Sequence, residues 1–492
     1  VKKKFYLTTT LPYVNADPHI GFAMELVRAD VLVRYHRDVL GEDVFFNTGT
    51  DEHGAKIYKA AEEAGKDVQI YVDEYAAQFE KLTNVLNLAE PNFIRTTDMR
   101  HVKAAQEMWK RCRANGFISD KKVYKVRYCT GCELEKTDSE LLDGKCPIHP
   151  NREIEIREEE NYFFKFSEFG EKLKDFYRKN PTFVVPDFRF NEIKALVERG
   201  LEDFSISRLK KKMPWGVPVP GDEEHVMYVW FDALTSYIST LGWPDDEEKF
   251  RGYWENGTPV QYCGKDNLRQ QSAMWQAILM AAGLPPSSHI VINGFVTSGG
   301  QKMSKSLGNV LNPFDVIEYF KPYTDFPEDV LRFALLYNLS SFEDGDITLQ
   351  SIKESYTANL VNGLGNLTNR IMKLSVDYAE KTKGINNSGI VIGSPWTENF
   401  KKTIESFDLR KSIEGVFASI HDLDQKIQKE QAYKVIKENV EDGWALVFSQ
   451  KLYLGLIAQQ LSLFFPRTSA KILECIRENK MPEKPLFARL TI

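Results

Sequence analysis

The strand–helix alternation of this chain breaks off near residue 116 and resumes near residue 223, and that interruption constrains its fold more than any other feature. Residues 1 to about 115 alternate strand-like and helix-like segments. Phe5–Thr10 and Val44–Phe46 are apolar strand candidates, each followed by a helical pattern. Such alternation builds a doubly wound parallel sheet with helices on both faces. Residues 116–222 hold a cysteine cluster, the acidic run Glu158-Glu159-Glu160 and a proline-rich exit at Pro214, Pro218 and Pro220. They read as an insertion. Sheet-like sequence returns at Val226–Phe231, Val260–Cys263 and Ile290–Ile292. From about residue 350 the pattern is helical, with Leu360, Leu364, Leu367 and Ile371 at the spacing of a packed helix.

Bulk properties narrow the class. At 492 residues, the chain has room for two to four domains. A 42% hydrophobic and 27% charged composition is that of a globular protein. A net charge of −6 argues against indiscriminate nucleic-acid binding but leaves room for local basic patches. Lys2–Lys4 and the group Arg208, Lys210, Lys211 and Lys212 are candidates, with solvated surface as the alternative. The start is too short and polar for a secretory core. No run reaches the roughly twenty apolar residues of a membrane span: Gly283, Pro285 and Pro286 break one, and Gln459, Gln460 and Ser462 interrupt another. Six cysteines in so long a chain make no disulfide framework. The expectation is a cytosolic (cytoplasmic) protein that contacts no membrane.

Two segments suit phosphate chemistry. Lys302-Met303-Ser304-Lys305-Ser306 lies between Gly299-Gly300 and Gly308-Asn309. It reads as a mobile cationic loop, able to meet the charge of a departing pyrophosphate and then release it. The other segment, Pro18-His19-Ile20-Gly21-Phe22, follows the first strand and opens a helix with Phe22, Leu26, Ala29 and Val33 on one face. A helix N-terminus attracts phosphate, and Gly21 lets the backbone approach a ligand. The alternatives are a solvated lysine loop and a histidine that merely caps the helix.

Cys129-x-x-Cys132 and Cys146-x-x-His149 are two knuckles of equal spacing, the pattern of a tetrahedral zinc ion. Four protein ligands would make a closed, structural site with one Zn2+ per chain. Reduced thiols or a lone disulfide are the alternatives. Cys112, Cys263 and Cys475 are isolated and read as core. Trp230, Ala233 and Tyr237, after the apolar run Tyr228–Phe231, are candidates for an apolar pocket at the carboxyl edge of the sheet, or for plain core.

These stretches together resemble the class I aminoacyl-tRNA synthetases, and among them the methionyl-tRNA synthetase family over essentially the full length. The resemblance rests on Thr8–Gly21, Asn47–Gly54, Cys129–Cys132, Ser205–Arg208, Tyr228–Ala233, Gly264–Asp266 and Asn293–Val296 leading into Lys302. It implies a Rossmann-like catalytic domain in two halves, 1–115 and 223–310. A connective domain with a zinc knuckle would occupy 116–222, a linker with the exit of the mobile loop 311–350, and a helical anticodon-binding domain 351–492. It implies ligation of L-methionine to tRNA(Met), with ATP and Mg2+, through a methionyl-adenylate. His19, Lys302 and Lys305 would be catalytic, and Gly21, Gly264, Asp266 and Ser304 would join them in binding ATP. Leu11, Tyr13, Asp51, Trp230, Ala233, Tyr237 and Gln271 would bind the amino acid, with Asp51 on its ammonium. Asn366 and Arg370, one helical turn apart, and Tyr433 would read the anticodon. The family often carries an additional C-terminal dimerising domain, and its absence here leads us to expect a monomer.

The chain departs from the family pattern at Phe22, where a polar residue is usual, at Gln271, usually histidine, and at Leu234, often proline. Ala432-Tyr433 replaces a Pro-Trp pair. Competing readings are another class I synthetase and a tRNA-binding paralogue without activation chemistry. The branched-chain enzymes usually have a larger insertion, and a cysteine enzyme needs a zinc ion with an open position.

Overall fold

A computed structural model of the chain describes residues 2–132, 134–136, 140–303, 309–385 and 393–491. Its centre is a six-stranded parallel sheet of β1 (Lys4–Thr9), β2 (Asp43–Thr50), β3 (Asn92–Arg95), β4 (Val184–Val185), β5 (Thr258–Gly264) and β6 (His289–Asn293). The spatial order is β3-β2-β1-β5-β6-β4. Phe5 registers with Val44 on one side and Thr258 on the other. The chain therefore winds outward from β1 to β3, then restarts on the opposite flank, and the reversal falls between β1 and β5. In open α/β sheets this switch point, beyond the carboxyl ends of the strands, is where ligands bind.

Both faces of the sheet are covered, as a parallel sheet requires. Phe5 and Leu7 of β1 enter one core and Tyr6, between them, enters the other. The first core continues without a break into the helices after residue 327, taking in Leu331, Leu360, Leu364, Leu367 and Ile371. Buried charges stitch this junction. Arg332, fully buried, pairs with Asp30 at 2.6 Å and donates to the Phe464 carbonyl at 2.6 Å. Arg28 donates to the Ser340 and Ser341 carbonyls. The helices Leu349–Ser355 and Asn366–Asp377 run nearly end to end, joined by a wider π-helical stretch over Tyr356–Gly365. Long helices Leu409–Glu430 and Val440–Leu461 pack beside them.

Three readings are corrected. Val226–Phe231 is not a strand of the main sheet. Asp222–Met227 belongs to a small antiparallel sheet, and Val229–Ser239 is a helix. The apolar run is too short for its period to decide, and Phe231, Leu234 and Ile238 reach the core at helical spacing. Val184–Val185, within the segment read as an insertion, pairs with Ile290 and Val291 as the outer strand of the main sheet. Arg208 is buried rather than part of a basic surface. Its guanidinium lies 4.4 Å from the Tyr228 ring centroid and donates to Ser205 Oγ at 2.6 Å. The antiparallel pair Lys122–Cys129 and Ile154–Asn161 forms an arm that ends at the knuckles. Among the described residues, no helix is long and apolar enough to cross a membrane.

Candidate active site

A cavity of about 600 Å³ opens at the switch point. Its walls include Leu11, Tyr13, Asp51, Trp230, Ala233, Tyr237 and Asp266, so most of the amino-acid-binding candidates meet there. The chain beyond β1 hooks onto the chain beyond β2: Asp51 N–H donates to the Pro12 carbonyl at 2.9 Å, and Tyr13 bridges Asp51. This puts the buried Asp51 carboxylate beside Leu11 and Tyr13. Trp230, Ala233 and Tyr237 come from one helix at spacings of three and four, hence one face.

Gln271 lies outside the cavity lining. It is fully buried behind Tyr237, donating through Nε2 to the phenolic oxygen and accepting from Gln261 Nε2. Gln261 in turn accepts from Ser287, whose amide donates to Gln276 at 2.9 Å. The pocket aromatic thus rests on a chain of uncharged amides.

His19 is the N-cap of the helix Ile20–Arg34. Its Nδ1 accepts from Gly21 N–H at 3.1 Å. A neutral ring with an acceptor Nδ1 carries its proton on Nε2. A Cβ on Gly21 would stand 2.9 Å from His19 Cε1, so only glycine admits this ring position. Phe22 packs against His19 with ring centroids 4.4 Å apart and planes tilted by 33°, packs edge-on against Phe79 and lines the cavity. One turn further, buried Glu25 accepts from Thr10 N–H at 2.7 Å. Burial pushes its carboxyl up to about 8, which favours the neutral acid. Gly264 ends β5, and Asp266 follows on the exposed side.

Lys302 ends a hairpin in which Val296–Ser298 pairs with Gln301–Lys302. Ser304 and Lys305 lie outside the described residues.

The four knuckle residues converge, their ligand atoms all within 4.8 Å of one another. Cys132 Sγ is 3.3 Å from both Cys146 Sγ and His149 Nδ1. All six cysteines are free, so no disulfide competes. A Cβ on Gly131 would come within 2.4 Å of His149 Cγ, so this turn closes only around glycine. Three thiols and an imidazole in a closed cluster suit a zinc ion. The knuckle also walls the cavity through Gly131, Cys132 and His149. Two links hold it there: Lys56 Nζ to the Gly131 carbonyl at 3.1 Å, and the Arg269–Glu140 ion pair.

Sequence reasoning missed a buried cluster under the pocket. Asp232, fully buried, takes His53 Nδ1 at 2.7 Å and His101 Nε2 at 2.7 Å. His101 Nδ1 lies 2.9 Å from Ser239 Oγ. The two histidines hold the Asp232 carboxyl at about 2, despite its burial. The available signal was a lone aspartate inside the apolar run Val229–Leu234. Far from the cavity, Asn366 is exposed on its helix, Arg370 pairs with Asp424 of the helix Leu409–Glu430, and Tyr433 is exposed at the start of Ala432–Glu438.

A family model described as tRNA synthetases class I (M) matches residues 5–153 and 137–372. The methionine–tRNA ligase of Thermosynechococcus vestitus is 42% identical over 381 residues, 76% of this chain and 70% of that protein. That of Thermotoga maritima is 35% identical over 98% of this chain and 76% of its own. Among solved structures, Mycobacterium tuberculosis methionyl-tRNA synthetase in complex with methionyl-adenylate superimposes with a TM-score of 0.86 at 31% identity. It covers 99% of this chain and 97% of that one.

Proposed function

The chain belongs to the methionine family of class I tRNA synthetases, and from that premise we propose how its residues do the family's work. It activates methionine with ATP to methionyl-adenylate and transfers the methionyl group to tRNA. The reading of the site rests on one observation above all. The cavity at the switch point gathers Asp51, Tyr13, Trp230 and Tyr237 in front of the segment that carries Asp266.

The Asp51 carboxylate holds the methionine ammonium by a charge-assisted hydrogen bond. Leu11, Tyr13, Trp230, Ala233 and Tyr237 enclose the thioether, for which aromatic edges supply dispersion and sulfur contacts. Gln271 acts one layer back, fixing Tyr237. Gly264 and Asp266 hold the ribose. The methionine carboxylate then attacks the α-phosphorus in line. His19, donating from Nε2 at the helix N-terminus, stabilises charge at that phosphate, with Gly21 leaving room for the ring and the nucleotide, while Lys302, Ser304 and Lys305 hold the departing pyrophosphate. Mg2+ bound to ATP would offset the phosphate charge. A ribose hydroxyl at the tRNA 3′ end next attacks the adenylate carbonyl. No covalent nucleophile is required, since positioning and electrostatics carry the rate.

Cys129, Cys132, Cys146 and His149 would hold one zinc ion, which stabilises the knuckle fold as a four-ligand structural site. Asn366, Arg370 and Tyr433 read the anticodon of tRNA(Met) from the helical half. We keep the division into catalytic halves at 1–115 and 223–310, a connective domain at 116–222 that lends the outer strand Val184–Val185 to the catalytic sheet, a linker at 311–350 and a helical domain at 351–492. We propose a monomer that works in the cytoplasm, where its substrates are found. Pyrophosphate exchange assayed with each of the twenty amino acids tests the reading. Methionine should be activated best. A better substrate overturns the specificity, and no exchange at all leaves a tRNA-binding paralogue.

A further inference from the structure

Among the described residues, the hairpin that leads to the lysine loop reaches the core only through its first residue, Val296. Beyond that, it is tied by two carboxylates from a segment some fifty residues later in the chain. Asp344 Oδ1 accepts the Phe295 N–H at 2.9 Å, and its Oδ2 takes Lys265 Nζ at 2.6 Å. Lys265 also sits 4.4 Å from the Phe295 ring centroid. One carboxylate therefore bridges the segment Gly264–Asp266 and the root of the hairpin, and both Lys265 and Phe295 line the cavity. Asp346 Oδ1 accepts the Gly300 N–H at 2.8 Å and the Thr297 hydroxyl at 2.8 Å, closing the hairpin turn. Those bonds to the carboxylate hold the Asp346 side chain below the usual carboxylate range.

The clamp has a firm base. Gly345-Asp346 pairs in parallel with Val296-Thr297, and Ile347, fully buried, donates its N–H to the Thr297 carbonyl at 3.0 Å. Thr348 then caps the helix Leu349–Ser355 with a reciprocal box to Ser351. A Cβ on Gly294 would stand 2.2 Å from the Glu343 carbonyl carbon, so the two backbones meet as closely as they can. The anchor is rigid, while the clamping carboxylates face solvent. The Asp344 side chain is 49% exposed and Asp346 is exposed. Such groups contribute little to folding, so what they hold in place matters more than what they stabilise.

We propose that Asp344 and Asp346 are positioning residues for adenylate formation: they fix the Val296–Lys302 hairpin against the nucleotide-binding edge and so set where the loop lysines meet the phosphates. This rests on the reading that Lys302 and Lys305 hold the departing pyrophosphate. Misplacing a charged group by about 1 Å can cost roughly a hundredfold in rate. The two aspartates divide the work. Asp346 sets the turn, so it bears on the chemical step. Asp344 links the hairpin to Lys265, so it bears on ATP and not on methionine.

The test is single-turnover adenylate formation and steady-state pyrophosphate exchange on the full chain, with melting temperature measured beside them. Asp346→Ala should slow adenylate formation roughly 10- to 100-fold with the melting temperature unchanged. Asp346→Asn should restore most of the rate, because its amide oxygen can accept both bonds. Asp344→Ala should raise KM for ATP several-fold and leave KM for methionine alone. A wild-type rate in Asp346→Ala, equal losses in Asp346→Ala and Asp346→Asn, or a rate loss matched by loss of melting temperature overturns the proposal. Lys305→Ala, run in parallel, separates the two layers. If it forms adenylate normally, the reading of the loop fails and this inference with it. If it is slow beside a wild-type Asp346→Ala, the inference alone fails.

Discussion

The two sides of the cavity are held by opposite means. Beneath the amino-acid side, Asp232, His53 and His101 form a hydrogen-bonded cluster buried in the protein. Tyr237 and Gln271 sit on a second buried network of amides. On the phosphate side, the hairpin is tied by carboxylates that face solvent. Buried polar groups are costly to leave unmade, exposed ones are not. A variant on the first side should therefore appear as lost folding stability, and one on the second as lost rate in a protein that folds normally.

The largest effect is expected at the knuckle, which walls the same cavity and is organised from within by its ligands. Removing two of them by Cys129→Ala with Cys132→Ala should abolish the one zinc per chain found by elemental analysis of chelator-washed protein. Structural zinc contributes roughly 10–16 kcal/mol to isolated finger peptides, so the arm should lose protection in hydrogen exchange. Metal retained in the double variant, or an active wild type with a stoichiometry near zero, removes the zinc reading.

Next comes the buried cluster. Asp232→Ala strands two imidazole N–H donors, at about 1–3 kcal/mol each. Urea unfolding should show a loss of about 2–6 kcal/mol, and a loss below about 1 kcal/mol would break the contrast between the two sides. The cluster also has a pH signature. Its carboxyl is depressed from 3.8 to about 2 in the folded chain. The stability it contributes is fully present above the unfolded value and is lost as pH falls through the folded one. Wild type should lose stability between about pH 4 and pH 2, and Asp232→Asn should lack this part of the acid limb.

For the phosphate chemistry, Lys305→Ala should cost adenylate formation roughly 3 kcal/mol, about a hundredfold in single-turnover rate, with unfolding unchanged. A wild-type rate would take Lys305 out of the mechanism.

The same contrast explains what could be read from the sequence. Strand–helix alternation and the knuckle spacing are local, and both are visible in short windows. The apolar run marked Trp230 and the resemblance supplied Leu11, Tyr13 and Asp51, which the fold brings to one cavity from segments up to about two hundred residues apart. What escaped depends on distant partners. His101 lies 131 residues from Asp232, and Asp344 lies 79 from Lys265. No local pattern marks either pair. Val184–Val185 is only two residues long and carries no period. Gln271, assigned to the pocket by its place in the family pattern, lies behind Tyr237, a distinction that only packing reveals.

The smallest effect is expected in the helical half, where it extends the contrast beyond the cavity. Arg370 pairs with Asp424, and the two side chains are 35% and 30% exposed. An ion pair so open to water contributes about 0–1 kcal/mol to stability, so Arg370→Ala should unfold almost like wild type. Asn366 lies one turn earlier on the same helix face. Polar donors so placed suit the splayed bases of an RNA loop, and a specific base contact contributes about 1–3 kcal/mol to discrimination. Because Arg370 already has a partner in Asp424, part of that gain is offset by breaking the pair, and a value near 1 kcal/mol is expected. The measurement is aminoacylation of a normal against an anticodon-swapped tRNA, in wild type and Arg370→Ala, with adenylate formation as the internal control. Adenylate formation should be unchanged and discrimination should fall about fivefold to tenfold. If the variant discriminates as well as wild type, Arg370 serves only its pair with Asp424 and does not read the anticodon.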